Sequence, residues 1–345
     1  MKSFISGIQQ VGIGVVDTDV ALPLYRDLLG MDALVFDDVA EAALMMLFTG
    51  NVLRRRRATL TLNMQGGGGF ELWQHLNGTP RLRSTPTRTG DLGITAVKIN
   101  CSNVPAAHEQ LTMLRKCRVG ELMKDLKGDP HFHILDPFGN AFEVMVATER
   151  FSRTRHATGG VGGVVIGVSH MDRSLQVYRD VLGISETVYD TRTFDENGPG
   201  LRRVLLRKRS KGEGAFGRLL GSVQVELVQD LTGPRSHIDK DRLWGDPGFI
   251  HLCMDVLDMD GLKRHAATQG VRFAVDSQET FAMENAGGRF CYIEDPDGTL
   301  IELVETHRVP LAKKWGLFLN LKKRDRHKPL PDWIVCLLAL NKVKG

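Results

Sequence analysis

The chain has 345 residues, 42% hydrophobic and 25% charged, enough for two domains that each bury a core. A net charge of +4 is too small to point to nucleic acid, and the longest apolar run, Trp333 to Leu340, falls far short of the ~20 residues of a membrane span. Five scattered cysteines (Cys101, Cys117, Cys253, Cys291, Cys336) form no CxxC pair, and no secretory signal opens the chain, so free thiols in a cytoplasmic protein are expected.

Gln10 to Val16 alternates as a strand. Asp17 to Leu29 reads as a helix, capped by Asp19 or Thr18 and stopped by Gly30. Strands follow near 42–49, 57–64 and 69–75. A second unit repeats the order: strand 93–100, helix 104–116, then strands near 119–123, 131–135 and 141–147. A third has strand 161–168, helix 171–182 and strands near 186–191, 201–208 and 222–229. The fourth has strand 248–256, helix 258–269 and strands near 271–275, 290–294 and 300–305. The chain is thus α+β, with four βαβββ units.

The units fall into a duplication. Leu24-Tyr25-Arg26-Asp27-Leu28-Leu29-Gly30 returns as Val177-Tyr178-Arg179-Asp180-Val181-Leu182-Gly183. Phe70-Glu71-Leu72-Trp73-Gln74 returns as Val225-Glu226-Leu227-Val228-Gln229, and Asp136-Pro137-Phe138-Gly139-Asn140 as Asp295-Pro296-Asp297-Gly298-Thr299. One repeat spans 5–150 and the other 161–306. Residues 151–160, polar and ending in glycine, are the linker, and 307–345 form a basic tail.

Gly66-Gly67-Gly68-Gly69 lacks a following Lys-Ser/Thr and precedes a strand, so a flexible hairpin is expected, not a phosphate loop. Arg54-Arg55-Arg56-Arg57 could meet a phosphate or carboxylate; a solvated hairpin turn is the preferred reading. The tail carries Lys313, Lys314, Lys322, Lys323, Arg324, Arg326 and Lys328 before the apolar Trp333–Leu340. Packing against its own domain is preferred over a membrane-surface or partner helix.

A strand ending Val-Gly-Ile-Gly-Val, a helix ending Tyr-Arg-Asp-Leu-Leu-Gly and a closing Asp-Pro-Asp-Gly-x-x-Ile-Glu-Leu together resemble the vicinal oxygen chelate superfamily, over about residues 5–306. Glyoxalase I, methylmalonyl-CoA epimerase, type I extradiol dioxygenases and fosfomycin-resistance proteins belong to it. The resemblance implies two open-barrel cups, each built from two units, with a divalent metal held at four strand positions. Those positions are Gln10 and Glu71 in unit one, Ala96 and Glu143 in unit two, Gly163 and Glu226 in unit three, and His251 and Glu302 in unit four. Alanine and glycine cannot ligate. If neighbouring units pair, each cup has three ligands and a blank. If unit one pairs with unit four, one cup keeps Gln10, Glu71, His251 and Glu302 and the other takes both blanks. Cross-pairing is preferred, since losing one site whole is the simpler outcome of duplication. The set then matches the Gln/Glu/His/Glu of glyoxalase I, and suits one Zn²⁺, Ni²⁺, Co²⁺ or Mn²⁺.

Two arginines by which glyoxalase I grips glutathione are absent, replaced by Gly14 and Pro247. Gly163 occupies the first iron-ligand position of an extradiol dioxygenase. The resemblance therefore implies a metal-dependent isomerase or epimerase, or a glyoxalase-like lyase. It would form an enediolate from a small hydroxy-ketone or thioester, with Glu302 and Glu71 as bases. A ring-cleaving dioxygenase and a non-catalytic sequestering protein are the alternatives. The expected partner is a small-molecule substrate, without nucleic acid; a homodimer is allowed, and membrane contact by the tail is not favoured.

Overall fold

The computed structural model describes residues 3–195, 198–233, 235–278, 281–283 and 286–343. The last two residues of the tail, 344 and 345, lie outside them.

Unit one comprises β1 (Ile5–Gly14), α1 (Thr18–Leu29), β2 (Ala33–Glu41), β3 (Arg55–Leu62) and β4 (Gly69–His75). Unit two comprises β5 (Gly93–Cys101), α2 (Val104–Leu114), the short β6 (Arg118–Val119) and β7 (Met123–Lys124), β8 (Pro130–Leu135) and β9 (Ala141–Val146). Unit three has β10 (Val161–Gly167), α3 (Met171–Leu175) continued by a π-turn over Gln176–Val181, β11 (Glu186–Asp195), β12 (Gly198–Lys208), α4 (Gly217–Leu220) and β13 (Val223–Asp230). Unit four has β14 (Gly248–Val256), α5 (Met259–Thr268), β15 (Val275–Asp276), β16 (Phe281–Met283), β17 (Ala286–Glu294) and β18 (Leu300–Ala312); β19 (Leu317–Asn320) and α6 (Asp332–Cys336) follow.

Four local expectations change. The cap of α1 is Asp17, whose carboxylate accepts the Asp19 N–H, while Gly30 closes the helix at φ 66°. The first strand after α1 is 33–41, and Ala43–Phe48 forms a 3₁₀ turn where a strand was expected. The apolar run there misleads, since Leu44 and Leu47 point to solvent. The arginine run begins β3: Arg56 is buried and Arg57 pairs with Asp37 and Asp19. The glycine run is no flexible hairpin. It is buried and laced to the linker, with Gly68 N–H donating to Val161 O, Gly160 N–H to Gly66 O and Gly67 N–H to Leu219 O. A Cβ on Gly68 would come within 2.6 Å of Ile8 O, so the close approach requires glycine there.

The strands assemble into two sheets. One runs β15-β17-β18-β14-β1-β4-β3-β2, with β16 on β17 and β19 on β18; the other runs β11-β12-β13-β10-β5-β9-β8-β6, with β7 on β8. Unit one therefore joins unit four through the antiparallel β1–β14 seam, and unit two joins unit three through β5–β10. The helices bind differently. Tyr25 of α1 donates its hydroxyl to Asp136 (2.6 Å), and Tyr178 donates to Asp295 (2.9 Å). Those aspartates also accept the turn N–H groups of Phe138 and Asn140, and of Asp297 and Thr299. The two repeated landmarks are thus the two ends of one hydrogen bond. Helices thus tie unit one to two and three to four, strands tie one to four and two to three, and one apolar core runs between the sheets.

The tail packs back on its own sheet. β19 pairs with the extended β18, and Leu330, Val335 and Leu338 are buried in the cluster that lines the cup of units one and four. Deleting residues 310–345 is expected to destabilise the protein by several kcal/mol, at about 1.5–3 kcal/mol for each fully buried apolar side chain. A truncated protein with an unchanged melting temperature and lost liposome binding would contradict this packing role. No helix among the described residues is long and apolar enough to cross a membrane.

Candidate metal centre

The β1–β14 seam and its two parallel flanks, β4 and β18, bring the four residues Gln10, Glu71, His251 and Glu302 together. Gln10 lies beside Cys253, and Gly12 lies between Glu71 and His251. All four side chains are buried. Gln10 Nε2 donates to Glu71 Oε2 at 2.9 Å and to Glu302 Oε2 at 3.0 Å. His251 Nε2 lies 3.6 Å from Glu71 Oε2 and 3.3 Å from Glu302 Oε2. One ligand atom from each of Glu71, His251 and Glu302 falls within 4.8 Å of the others. A Cβ on Gly12 would come within 2.5 Å of the His251 ring, so that glycine makes room for it.

Burial penalises charge throughout this cluster. It pushes the Glu302 carboxyl up, His251 only partly offsetting it, and Glu71 adds to the rise. At Glu71 burial is outweighed by His251 and Gln10, which hold the carboxyl below its usual range. At His251 burial is outweighed by Glu302 and Glu71, which raise it. A positive charge among these carboxylates is thus favoured. A metal competes with protons for such donors. The residues fit a divalent ion. They offer a mixed nitrogen and oxygen set, and two buried donor atoms, Gln10 Oε1 and His251 Nε2, have no hydrogen-bond partner. The Tyr292 hydroxyl lies 3.3 Å from His251 Nδ1, which leaves Nε2 for a ligand and orients the ring.

The other cup holds a lysine. Ala96 and Gly163 stand at the positions equivalent to His251 and Gln10, as expected, and neither can ligate. Lys98, beside Glu143 in the register, sends its ammonium between Glu143 (2.5 Å) and Glu226 (2.8 Å). Arg203 pairs with Glu226 at 2.6 Å, and His131 with Glu143 at 3.0 Å. Burial works against charging Lys98, but Glu226 and Glu143 raise it, so the ammonium persists. A side-chain cation fills the second cup.

Sequence reasoning missed Lys98 and Tyr292. Strand alternation could have found both: Lys98 shares a face with Ala96, and Tyr292 sits opposite Glu302. Cys253, buried on the same side as His251, is likewise held as a thiol by burial.

Two paired cups of this kind are the vicinal oxygen chelate architecture. Residues 160–303 match the family model of the Glyoxalase/Bleomycin resistance protein/Dioxygenase superfamily, and the whole chain has the vicinal oxygen chelate fold. Glyoxalase I from Zea mays is similar at TM-score 0.55 and 13% identity, covering 87% of this chain and 92% of that one. A protein described as a candidate dioxygenase from Bacillus subtilis subsp. subtilis strain 168 is similar at TM-score 0.60 and 15% identity, covering 88% and 86%. No curated protein matches the chain in sequence.

Proposed function

We propose that this chain is a metal-dependent isomerase or epimerase, or a glyoxalase-like lyase, acting on a small hydroxy-ketone or thioester. The observation that carries the reading is the gathering of Gln10, Glu71, His251 and Glu302 in one buried cup, with ligand atoms left unmet. Those four residues would hold one Zn²⁺, Ni²⁺, Co²⁺ or Mn²⁺. When bound, the ion supplies charge neutralisation for two neighbouring substrate oxygens in a dry site. The protein does the rest. Glu302 and Glu71 flank the β1–β14 seam from opposite sides, on β18 and β4. Either can take a proton from the carbon beside the carbonyl and return it, to the same face or the other. Tyr292 orients the imidazole, and Val35, Phe36, Leu60, Leu62, Phe216 and Leu338 give the adjoining pocket an apolar wall. Membership of most superfamily proteins among metal-dependent enzymes supports an enzyme here. Incubating the metal-loaded protein in D₂O with candidate hydroxy-ketones tests the reading: deuterium should enter at the carbon next to the carbonyl. Tight binding without exchange would favour sequestration, and oxygen consumption with an iron-loaded protein would favour ring cleavage.

A further inference from the structure

Arg56 has no part in the cluster above, yet its side chain is only 1% exposed. It arises on β3, and its guanidinium carbon lies 5.1 Å from the centre of the Trp73 ring. Nη1 donates to the backbone oxygen and the carboxylate of Asp38, at 2.9 and 2.8 Å. Nε meets no acceptor among the described residues. Trp244, whose ring centre is 4.5 Å from that of Trp73, buries its indole N–H without an acceptor as well. A buried donor left unmet is costly, because it has given up water for nothing. The Trp73 indole N–H is a third, and three such donors around one void are a recognition feature in search of an oxygen. Arg56 and Trp244 border that void, of about 100 Å³, whose walls also include Trp73, Phe290, Tyr292 and Glu302. The void therefore reaches from these unmet donors to the candidate reaction centre.

The buried groups left unmet at that end are all donors, the exposed Glu41 being the one carboxylate on that side of the void, and the fork of an arginine matches a carboxylate bidentately. Asp38 is 19% exposed and engages one arm of the fork, so the other edge is left to a ligand. We propose that Arg56, assisted by the Trp244 indole, recognises a carboxylate of the substrate. This rests on the reading of Glu302 as part of the reaction centre, and it narrows the substrate to a small hydroxy- or oxo-carboxylic acid. The recognition arginine then comes from β3. The aromatic walls of Trp73, Phe290 and Tyr292 accommodate a short apolar stem between the two ends.

The pocket contains its own reporters. Two of the four tryptophans, Trp73 and Trp244, line it, and the other two, Trp315 and Trp333, are exposed. Titrating butyrate and, separately, butyramide into the protein should give a saturable change in tryptophan fluorescence with the acid only. Neither probe is a good chelator, so the response should survive metal removal. Arg56→Met should weaken butyrate binding at least about tenfold, the scale of one charge-assisted hydrogen bond. Arg56→Lys, which keeps the charge but loses the fork, should fall between. Should Arg56→Met not fold, Arg56→Lys decides alone. Equal responses to acid and amide, no saturable response to butyrate, or wild-type affinity in Arg56→Lys would overturn the proposal. Proton exchange on uncharged hydroxy-ketones with no butyrate response would sink this inference and leave the proposed reaction standing. Butyrate binding without exchange on any hydroxy-acid would do the reverse.

Discussion

Replacing Glu302 or Glu71 by Gln is expected to lower whatever proton exchange that glutamate carries by ~10²–10⁴-fold, the usual cost of losing a general base. Glutamine keeps the size and one ligating oxygen of glutamate, so the effect isolates the proton chemistry from packing. The two variants also separate the reactions. An epimerase with one base on each face would keep single-face exchange in one variant and lose net epimerisation in both. A lyase or one-base isomerase would lose exchange with one glutamate only. The positions of the two residues, on β4 and β18 either side of the central seam, suit the two-base outcome. Full turnover in both variants would show that the carboxylates only hold the cup together.

Lys98→Met is expected to destabilise the protein by about 3–5 kcal/mol, because it leaves buried Glu143 and Glu226 without their shared cation. Arg203 and His131 remain but meet Oε1 of each carboxylate, while Lys98 holds Oε2 of both. The loss should depend on pH. In the native protein burial would raise the Glu143 carboxyl, but Lys98 and His131 hold it far below its usual range. Its stabilising contribution is present above the unfolded carboxylate range near pH ~4.3 and is lost as pH falls towards the native value. Without the ammonium that contribution goes, and protonation relieves the paired carboxylates. The gap between wild type and variant should thus be widest near neutral pH and narrow in acid. Urea midpoints at several pH values would show it. A change below about 1 kcal/mol at neutral pH would mean that the ammonium is not what holds the second cup.

Much of the fold could be read from the chain because its landmarks have fixed structural tasks. The tyrosine of Tyr-Arg-Asp and the aspartate of Asp-Pro-x-Gly recur together because they hydrogen-bond to each other in both repeats. Strands such as 69–75 and 248–256 were legible to the residue, since apolar alternation and flanking glycines mark them. The pairing of units was not legible from periodicity. It depends on long-range seams between β1 and β14, and the sequence argument rested on where the ligands and blanks fell. The glycine run and the arginine run were misread for a common reason. Both look like solvated turns locally, and only tertiary contacts show that Gly68 packs against Ile8 and Val161 and that Arg56 turns inward over Trp73. Lys98 went unnoticed because attention to ligand positions stopped at the blank Ala96, two residues earlier on the same face.

Elemental analysis of the purified protein tests the central claim most directly. One live cup predicts about one divalent ion per chain. That ion should disappear in His251→Ala and stay bound when Glu143 or Glu226 is changed in a variant that still folds. Two equivalents of similar affinity, or a full complement of metal in His251→Ala, would contradict the account.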